Sequence, residues 1–436
     1  MLPSTPAAGS LIERRQRASS PSLGTFPLFP ADPLCLERGL GAHVWDTNGK
    51  RYLDCTAQNL CISVGYAHPV TLSMVGEQMG RMQHCTTLFH HEQPVAYAEE
   101  LVARMPEGSG DWVVHLVNSG AEAIDLAFMM ARAHTGHFEM VSLRNAYHGL
   151  HFGAAGSTAF SPCRFATASL QGFVHAMHPD QYKGAFGPGA GIAPYLDELR
   201  RTIFSSTAGH IAGMIIEPIQ GFGGVVPMPA GYMKEAFRIT REAGGLAICD
   251  EVQTGFGRMG SHYWGFEAHD TVPDIVVLGK GMGNGFPIAG VIARREIAQS
   301  FTKVRFFNTY GSNPMAAAAA RSVLKVVDDE GLQANAQARG EQLLAGLHRL
   351  RERHSLIGDV RGTGLILGFE LVRDRATREP VVEEGDRIHR RIRDAGVIMV
   401  KGSATRNTFR INPPMGITSE DCEMLLDVLE QAFAAG

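Results

Sequence analysis

The chain has 436 residues, 44% of them apolar and 19% charged, which is an ordinary composition for a globular enzyme. This length exceeds what one core of about 150 residues would use, so we expect two closely associated domains or one large domain with an accessory lobe. The formal net charge of −4 offers no basic surface for nucleic acid or an anionic membrane. The seven scattered cysteines form no CxxC pair, which disfavours a disulfide framework or a metal site and favours a reducing compartment.

The first 30 residues are rich in Pro, Ser and Gly, which predicts an extended N-terminal arm. They lack the apolar segment of a secretory signal, and the chain has no run of about 18 apolar residues that would span a bilayer. The stretch from Ser10 to Ser22 contains several arginines and serines, as transit peptides do, although Glu13 argues against one. We therefore expect a cytoplasmic protein, or a mitochondrial one if the arm is a transit remnant.

Residues 42–54 (AHVWDTNGKRYLD) predict a β-hairpin, because Asn48-Gly49 is a strong turn signal between two strands. A mixed helical region follows to about residue 108. The middle third repeats a pattern in which a short apolar run ends in polar or glycine residues and precedes a helical stretch. Continuous apolar strands that alternate with helices predict a parallel sheet buried on both faces, whose ligands bind beyond the carboxyl ends of the strands. The runs are residues 113–117, 140–143, 211–216, 246–249, 275–278 and 288–293.

The C-terminal part of the chain has a different pattern. A charged amphipathic segment from Leu332 to His354 precedes two strand-like segments, GLILGFELV and VIMVKG, and a terminal helix. This order predicts a compact α+β lobe that packs with the N-terminal hairpin. We therefore expect residues 1–75 and 326–436 to form a small domain, and residues 76–325 to form the large domain.

Four of the predicted strand ends carry residues suited to chemistry. The segment after the first run starts a helix at Ser119, and the free N–H groups of a helix start can bind a phosphate. Tyr147 follows the second run, where its ring is placed to stack on a flat ligand. Asp250 ends a buried strand and so requires a cationic partner. Lys280 follows another strand among glycines, where a partly dry pocket would lower its pKa and make it nucleophilic.

Each of these features alone has an ordinary explanation, such as a helix cap, a packed tyrosine or a solvated lysine. An ATP-dependent protein with Mg²⁺ at Asp250 would require a GxxxxGK[ST] loop, which the chain lacks, and the glycines after Lys280 do not form GxGxxG. Pyridoxal phosphate (PLP) requires an amine for its aldehyde, a carboxylate for its pyridine nitrogen, a helix start for its phosphate and a wall for its ring. The four strand ends supply these parts together and predict a PLP site.

With these residues in view, the sequence resembles the class-III aminotransferases, from about Ser20 to the C-terminus. The most specific stretch is IIEPIQGFGGV…ICDEVQTGFGRMGSHYWGFEAHDTVPDIVVLGKGMGNGFP. The segments LVNSGAEAIDLA, SLRNAYHG and FNTYGSNP are most similar to the alanine–glyoxylate aminotransferases of this class. The resemblance implies an α/β fold, that of a fold-type-I PLP-dependent transferase. Its large domain would contain a mostly parallel seven-stranded sheet, and its smaller α+β domain would be made from both chain ends.

The resemblance also implies a role for each matching residue. Lys280 would form a Schiff base with PLP and then move a proton, and Asp250 would keep the pyridine nitrogen protonated. Thr309 would reach the phosphate of the neighbouring subunit, which implies a homodimer or a dimer of dimers. The other implied cofactor contacts are Ser119, Gly120 and Ala121 at the phosphate, Tyr147 and Val252 on the ring faces, Gln253 at the ring hydroxyl, and His148 and Glu217 nearby.

On the substrate side, the resemblance implies that Arg410 binds the substrate carboxylate and pairs with Glu217 when no second carboxylate is present. The segment Ala57-Gln58-Asn59 stands where related chains read SGI, so Gln58 would line a different substrate pocket. Ala121 replaces a hydroxyl residue of many relatives, so phosphate binding would depend on backbone amides. Tyr66 replaces the commoner histidine of GHxHP.

These residues predict a ping-pong transamination between small molecules, with no nucleic acid or membrane partner. The donor would be alanine, β-alanine, β-aminoisobutyrate or another ω-amino acid, and the acceptor a 2-oxo acid such as pyruvate or glyoxylate. A decarboxylating transaminase and an aminomutase on the same fold are open alternatives. A non-catalytic relative is disfavoured because the lysine, aspartate and arginine positions are all filled.

Overall fold

A computed structural model gives the fold of the chain and describes residues 8–24, 28–29, 32–164 and 171–435. The α-helices in these ranges are α1 (Ala8–Ala18), α2 (Pro69–Arg81), α3 (Glu92–Val102), α4 (Gly120–Thr135), α5 (Phe152–Ser157), α6 (Ala193–Ser206), α7 (Tyr232–Glu242), α8 (Arg295–Ser300), α9 (Pro314–Asp329), α10 (Leu332–Arg353), α11 (Glu383–Asp394) and α12 (Ser419–Ala434). The strands are β1 (Leu36–Leu40), β2 (His43–Asp46), β3 (Arg51–Asp54), β4 (Trp112–Val117), β5 (Met140–Leu143), β6 (Phe173–Ala176), β7 (Gly213–Ile216), β8 (Ile219–Gln220), β9 (Val226–Pro227), β10 (Leu246–Asp250), β11 (Ile275–Leu278), β12 (Ala289–Arg294), β13 (Ile357–Thr363), β14 (Ile366–Leu371), β15 (Val397–Ile398), β16 (Val400–Gly402) and β17 (Thr408–Ile411).

The central sheet has the strand order β4-β12-β11-β10-β7-β5-β6. All neighbours from β11 to β6 pair in parallel, whereas β12 runs antiparallel to both β4 and β11. The prediction of a mostly parallel seven-stranded sheet is therefore confirmed, as are the six apolar strands. The seventh strand, β6, escaped prediction because His175 interrupts its four residues and leaves no continuous apolar run.

Helices cover both faces of this sheet, so its central strands are buried along their whole length. The strands β5, β7 and β11 contain only buried residues, which explains why they are apolar runs without alternation. The helix α4 packs on β11 and β12, and α7 packs on β10 and β7. The polar residues that follow the strands therefore lie at the edge of the central sheet, where the strands end.

Two smaller sheets join the chain ends. The strands β13, β14, β17 and β16 form an antiparallel sheet, against which α10 packs, and α12 packs on α10. The N-terminal hairpin is confirmed, with Gly49 at φ 82° in its turn, and β3 pairs in parallel with β15. The predicted strand VIMVKG is divided between the two small sheets as β15 and β16. The domain boundaries near residues 75 and 325 stay a prediction.

The prediction of an extended N-terminal arm is wrong for Ala8–Ala18, which form α1. This segment contains good helix formers and no proline, which outweighs the Pro- and Ser-rich composition around it. Residues 1–7, 25–27 and 30 of the predicted arm lie outside the described residues. None of the helices within the described ranges is both long and apolar enough to cross a membrane.

Candidate active site

The neighbouring strands β10 and β11 bring Asp250 and Lys280 to the same edge of the central sheet. Asp250 is the last residue of β10 and pairs in register with Val277 of β11, three positions before Lys280. Lys280 has φ 45°, a left-handed conformation that a lysine adopts only when its surroundings enforce it. Burial lowers the pKa of the Lys280 amine, and the charge of Asp250 partly opposes this effect. A buried amine of lowered pKa is a better nucleophile and proton acceptor.

Asp250 is 5% exposed and contacts a histidine. Its Oδ2 atom lies 2.7 Å from Nδ1 of His148, and its Oδ1 atom accepts a hydrogen bond from the backbone N–H of Val252 at 3.1 Å. The other ring nitrogen of His148 is buried and has no partner among the described residues. His148 thus contacts the Asp250 carboxylate directly. Sequence reasoning did not predict this contact.

The start of α4 lies beside these two strand ends. Ser119 caps the helix, with its hydroxyl oxygen accepting a hydrogen bond from the N–H of Glu122 at 3.3 Å. A Cβ atom on Gly279 would lie 3.3 Å from the Cα of Gly120 and 3.5 Å from a methyl group of Val252, so these three residues pack closely. The first N–H groups of a helix have no acceptor within it, which leaves this start suited to an anion. Ala121 lies in the first turn, as predicted.

Two aromatic rings line the next part of the edge. The ring of Tyr147 stacks on that of Phe222, with centroids 4.8 Å apart and an interplanar angle of 26°. The ring of Phe160 meets Phe222 edge-on at 5.4 Å. Phe222 was missed by sequence reasoning, although the Gly-Phe-Gly-Gly segment after β8 was a signal of a close backbone approach. A Cβ atom on the preceding Gly221 would lie 2.2 Å from the Gln253 side chain.

Arg410 lies in β17 and is 1% exposed. One guanidinium nitrogen donates to the side-chain oxygen of Gln253 at 2.8 Å, and Nε has no partner among the described residues. Burial lowers the pKa of Arg410 to about 10, so the guanidinium stays charged at neutral pH. An arginine so placed is suited to bind a carboxylate.

The predicted direct pairing of Glu217 with Arg410 is wrong in this structure, because Gln253 lies between the two side chains. The Gln253 amide donates to Glu217 at 3.5 Å while its oxygen accepts from Arg410. Glu217 accepts backbone N–H bonds from Tyr147 and Gly221, both at 3.2 Å. Burial raises the pKa of Glu217 to about 7; the electrostatic influence of His148 opposes this rise, and that of Asp250 adds to it.

Replacing Glu217 with glutamine is expected to flatten the dependence of stability on pH. Because the pKa of Glu217 is raised from 4.5 to about 7, the folded protein binds this proton more tightly than the unfolded chain between those values. The free energy of unfolding therefore decreases as pH rises through this window, and Glu217→Gln removes that decrease. Urea unfolding of the cofactor-free protein at several pH values measures it, with the exposed Glu77→Gln as control. Equal slopes for Glu217→Gln and the unmodified protein would contradict the expectation.

Two predicted site residues are exposed at the surface of this chain. Thr309 lies on the segment before α9. Gln58 lies in a left-handed turn, Ala57–Leu60, whose four residues have φ between 46° and 67°. Asp54 holds this turn by accepting hydrogen bonds from the hydroxyl groups of Thr56 and Tyr66, both at 2.6 Å.

The sequence comparison decides the family. The chain matches the model of the class-III aminotransferases over residues 30–433. It belongs to this family. The chain is also 40% identical over 423 residues to the human protein named alanine--glyoxylate aminotransferase 2, mitochondrial, an alignment that covers 92% of this chain and 82% of the relative.

Solved structures of aminotransferases have the same fold. An (S)-enantioselective omega-transaminase from Thermomicrobium roseum aligns with a TM-score of 0.89 and 32% identity, covering 99% of both chains. A PLP-bound amine transaminase from an uncultivated Pseudomonas species aligns with a TM-score of 0.86 and 30% identity, covering 93% of this chain and 95% of that one. The fold of this aminotransferase is therefore fold type I, and it transfers amino groups between amino acids and 2-oxo acids with PLP as its cofactor.

The side chains at the sheet edge fit that cofactor. The edge offers a buried amine, a buried carboxylate, a capped helix start and an aromatic ring within one region. Two further buried nitrogens, Nε2 of His148 and Nε of Arg410, have no partner among the described residues. Buried polar atoms without partners are rare in folded proteins and point to a missing ligand.

Proposed function

We propose that this aminotransferase works by a ping-pong reaction on Lys280, with a small amino acid as donor and a 2-oxo acid as acceptor. The observation that carries the proposal is the meeting of a buried amine, Lys280, with a buried carboxylate, Asp250, at adjacent strand ends within reach of the charge of Arg410. Pyridoxal phosphate, when bound, supplies an aldehyde for the amino group and a ring that accepts electrons from the substrate carbon.

Each of the surrounding residues has one task in this proposal. Lys280 holds the cofactor, releases it when the donor amine arrives, and then moves the proton of the substrate carbon. Asp250, supported by His148, keeps a positive charge on the facing ring nitrogen. The helix start would hold the phosphate, and three further side chains would contact the two faces and the hydroxyl of the ring. The residues proposed for these contacts are Ser119, Gly120 and Ala121 at the phosphate, Tyr147 and Val252 at the faces, and Gln253 at the hydroxyl.

The substrate carboxylate is the group that Arg410 binds in this proposal. The incoming carboxylate takes the place of the Gln253 oxygen on the guanidinium, and Glu217 retains its backbone donors. Gln58 is proposed to line the substrate pocket. Alanine, β-alanine, β-aminoisobutyrate and related ω-amino acids are the proposed donors, with pyruvate or glyoxylate as acceptor, because the human relative is named for alanine and glyoxylate.

A half-reaction screen tests this assignment. Candidate donors are added one at a time to the PLP-loaded protein, and loss of the visible cofactor absorbance together with formation of the 2-oxo product identifies a donor. Measurement of carbon dioxide and of products formed without an acceptor separates the decarboxylating and aminomutase alternatives. A screen in which no amino acid changes the absorbance would refute the proposed function.

Replacing Arg410 with glutamine is expected to raise KM for carboxylate donors by about 30-fold or more, since a charged hydrogen-bonded pair of this kind contributes about 2 kcal/mol or more. The variant should still bind the cofactor, because it retains Lys280 and all the residues proposed to hold PLP. Steady-state kinetics with the best donor of the screen measure the effect. The matched control is Arg294→Gln, which removes the charge of an arginine that pairs with Asp274 away from the site, and an unchanged KM in Arg410→Gln would exclude Arg410 from carboxylate binding.

A second copy of the chain is the proposed partner. Exposed apolar side chains lie on α2, on the segment after it and on the segment before α9, and the rings of His84 and Tyr310 join these segments at 5.0 Å. A large exposed apolar patch of this kind is typical of an interface. Thr309 lies beside Tyr310 and would thereby reach the phosphate of the partner site. The exposed residues are Leu72, Met79, Met82, Leu88, Phe89, Phe307 and Tyr310.

For the cellular location of the protein we propose the cytoplasm, although the human relative is named as mitochondrial.

A further inference from the structure

We propose that Arg361 is a positioning residue that holds the 221–225 loop against the sheet that carries Arg410, and so sets the affinity for the substrate carboxylate. The proposal rests on the proposed role of Arg410. The 221–225 loop connects β8 and β9 and contains Gly221 and Phe222, which face the site.

Arg361 lies in β13 and reaches across to this loop. Its Nε atom donates to the backbone oxygens of Gly224 at 3.0 Å and Val225 at 3.1 Å, and one terminal nitrogen donates to Gly224 at 2.7 Å. The backbone of Val225 is strained, since this β-branched residue has φ 54°, and the neighbouring Gly224 has φ 124°, which only a glycine adopts readily. A strained segment persists only when surrounding bonds hold it. The guanidinium therefore fixes the conformation of the loop.

One buried carboxylate, that of Glu370, and one partly exposed carboxylate, that of Asp359, fix the guanidinium in turn. Its terminal nitrogens contact Glu370 of β14 and Asp359 of β13, each at 2.7 Å, and Lys183 contacts the other oxygen of Glu370. The side chain of Glu370 is 1% exposed and that of Arg361 is 10% exposed. Burial lowers the pKa of Arg361, but the two carboxylates outweigh it and raise the pKa above its ordinary value. The cluster is thus a charged, water-poor junction between the small sheet and the loop.

The 221–225 loop in turn contacts residues on the substrate side of the site. The Phe222 ring stacks on Tyr147 and lies 5.5 Å from the Arg410 guanidinium carbon, a distance at which ring and cation attract. The N–H of Gly221 donates to Glu217. Arg410 lies in β17, directly beside β14, with Gly368 as its register partner. A shift of the loop relative to this sheet would therefore change the surroundings of Arg410 and Glu217, while the Lys280 and Asp250 strands keep their places.

The test compares Arg361→Gln and Arg361→Lys with Arg294→Ala. Lysine retains a charge for Glu370 but cannot reproduce the planar fork that contacts two backbone oxygens and two carboxylates together. Arg294 is a matched control, because it also joins a buried aspartate, Asp274, at 3.3 Å and donates to a backbone oxygen at 2.8 Å. It ends β12, away from the Lys280 edge. The readouts are the Kd of an unreactive short-chain carboxylate and the Kd of PLP, both by calorimetry, and KM for the donor.

We expect both Arg361 variants to raise the Kd of the carboxylate and the KM of the donor by about tenfold. The reason is that a small displacement of the groups around Arg410 weakens its contact with the carboxylate. The Kd of PLP should rise by less than the Kd of the carboxylate, because the loop reaches the proposed cofactor contacts through Tyr147 while Lys280 and Asp250 keep their places. Arg294→Ala should change none of these values. Equal carboxylate Kd values in all four proteins, or parallel weakening of PLP and carboxylate, would overturn the proposal. Arg361→Lys carries the test if Arg361→Gln does not fold. Carboxylate binding does not require turnover. A protein that binds the carboxylate but transfers no amino group would therefore count against the proposed function, and the Kd comparison for Arg361 would still be valid.

Discussion

Replacing Lys280 with alanine is expected to reduce turnover by about a thousandfold or more, since it removes both the nucleophilic amine and the group that moves the substrate proton. The buried position and lowered pKa of this amine suit it to both tasks. The visible absorbance of lysine-bound cofactor should disappear as well. Steady-state turnover and the absorbance spectrum of the PLP-loaded protein measure the two effects.

The control for this variant is Lys325→Ala, which removes a lysine from the exposed side of α9, where it pairs with Asp329 at 2.6 Å. This pair lies at the surface and is expected to contribute little to stability or activity. Full turnover in Lys280→Ala would refute the assignment of the amine. Loss of activity in both variants would show damage to the fold instead, which a thermal unfolding curve detects.

Replacing Asp250 with asparagine is expected to lower kcat by roughly 100-fold or more, because the variant removes the buried charge that we propose stabilises the cofactor ring. Asparagine has nearly the same shape and can keep its contacts with His148 and Val252. The loss should therefore appear in kcat and in the cofactor spectrum more than in folding. Single-turnover kinetics with a donor identified by the screen give the rate of the chemical step.

Asp274→Asn is the matched control for the aspartate. Asp274 is also buried, at 7% exposed, but it pairs with Arg241 and Arg294 at the opposite end of the same sheet layer. Its replacement is expected to lower stability, because the buried side chain loses its ion pairs with Arg241 and Arg294, and to leave kcat intact. A kcat of Asp250→Asn equal to that of Asp274→Asn would exclude a chemical role for Asp250.

The parts of the site that sequence predicted are those that depend on strand ends. A parallel sheet places the carboxyl ends of its strands at one edge, so Asp250 after β10 and Lys280 after β11 had to meet once both strands were recognised. Ser119 was predictable for the same reason, since a small polar residue between an apolar strand and a helix is a cap. These inferences require only local patterns and one rule of sheet geometry.

The N-terminal arm shows where local composition fails. Proline and serine around the segment suggested extended chain, while the residues of α1 themselves have helical preference. The strand β6 was not predicted for a related reason, because four residues that include a histidine give too little hydrophobic signal. Short elements take their structure from the neighbours that pair or pack with them.

The sequence alone predicted the α/β class, the parallel sheet, the cofactor and the placement of Lys280 and Asp250 at neighbouring strand ends. Only the tertiary structure decided that His148 supports Asp250, that Gln253 separates Glu217 from Arg410, and that Arg361 holds the 221–225 loop. Each of these contacts joins residues more than 30 positions apart, on elements that no periodic pattern relates. Their side-chain distances depend on how the small sheets pack against the large one, which local sequence does not encode.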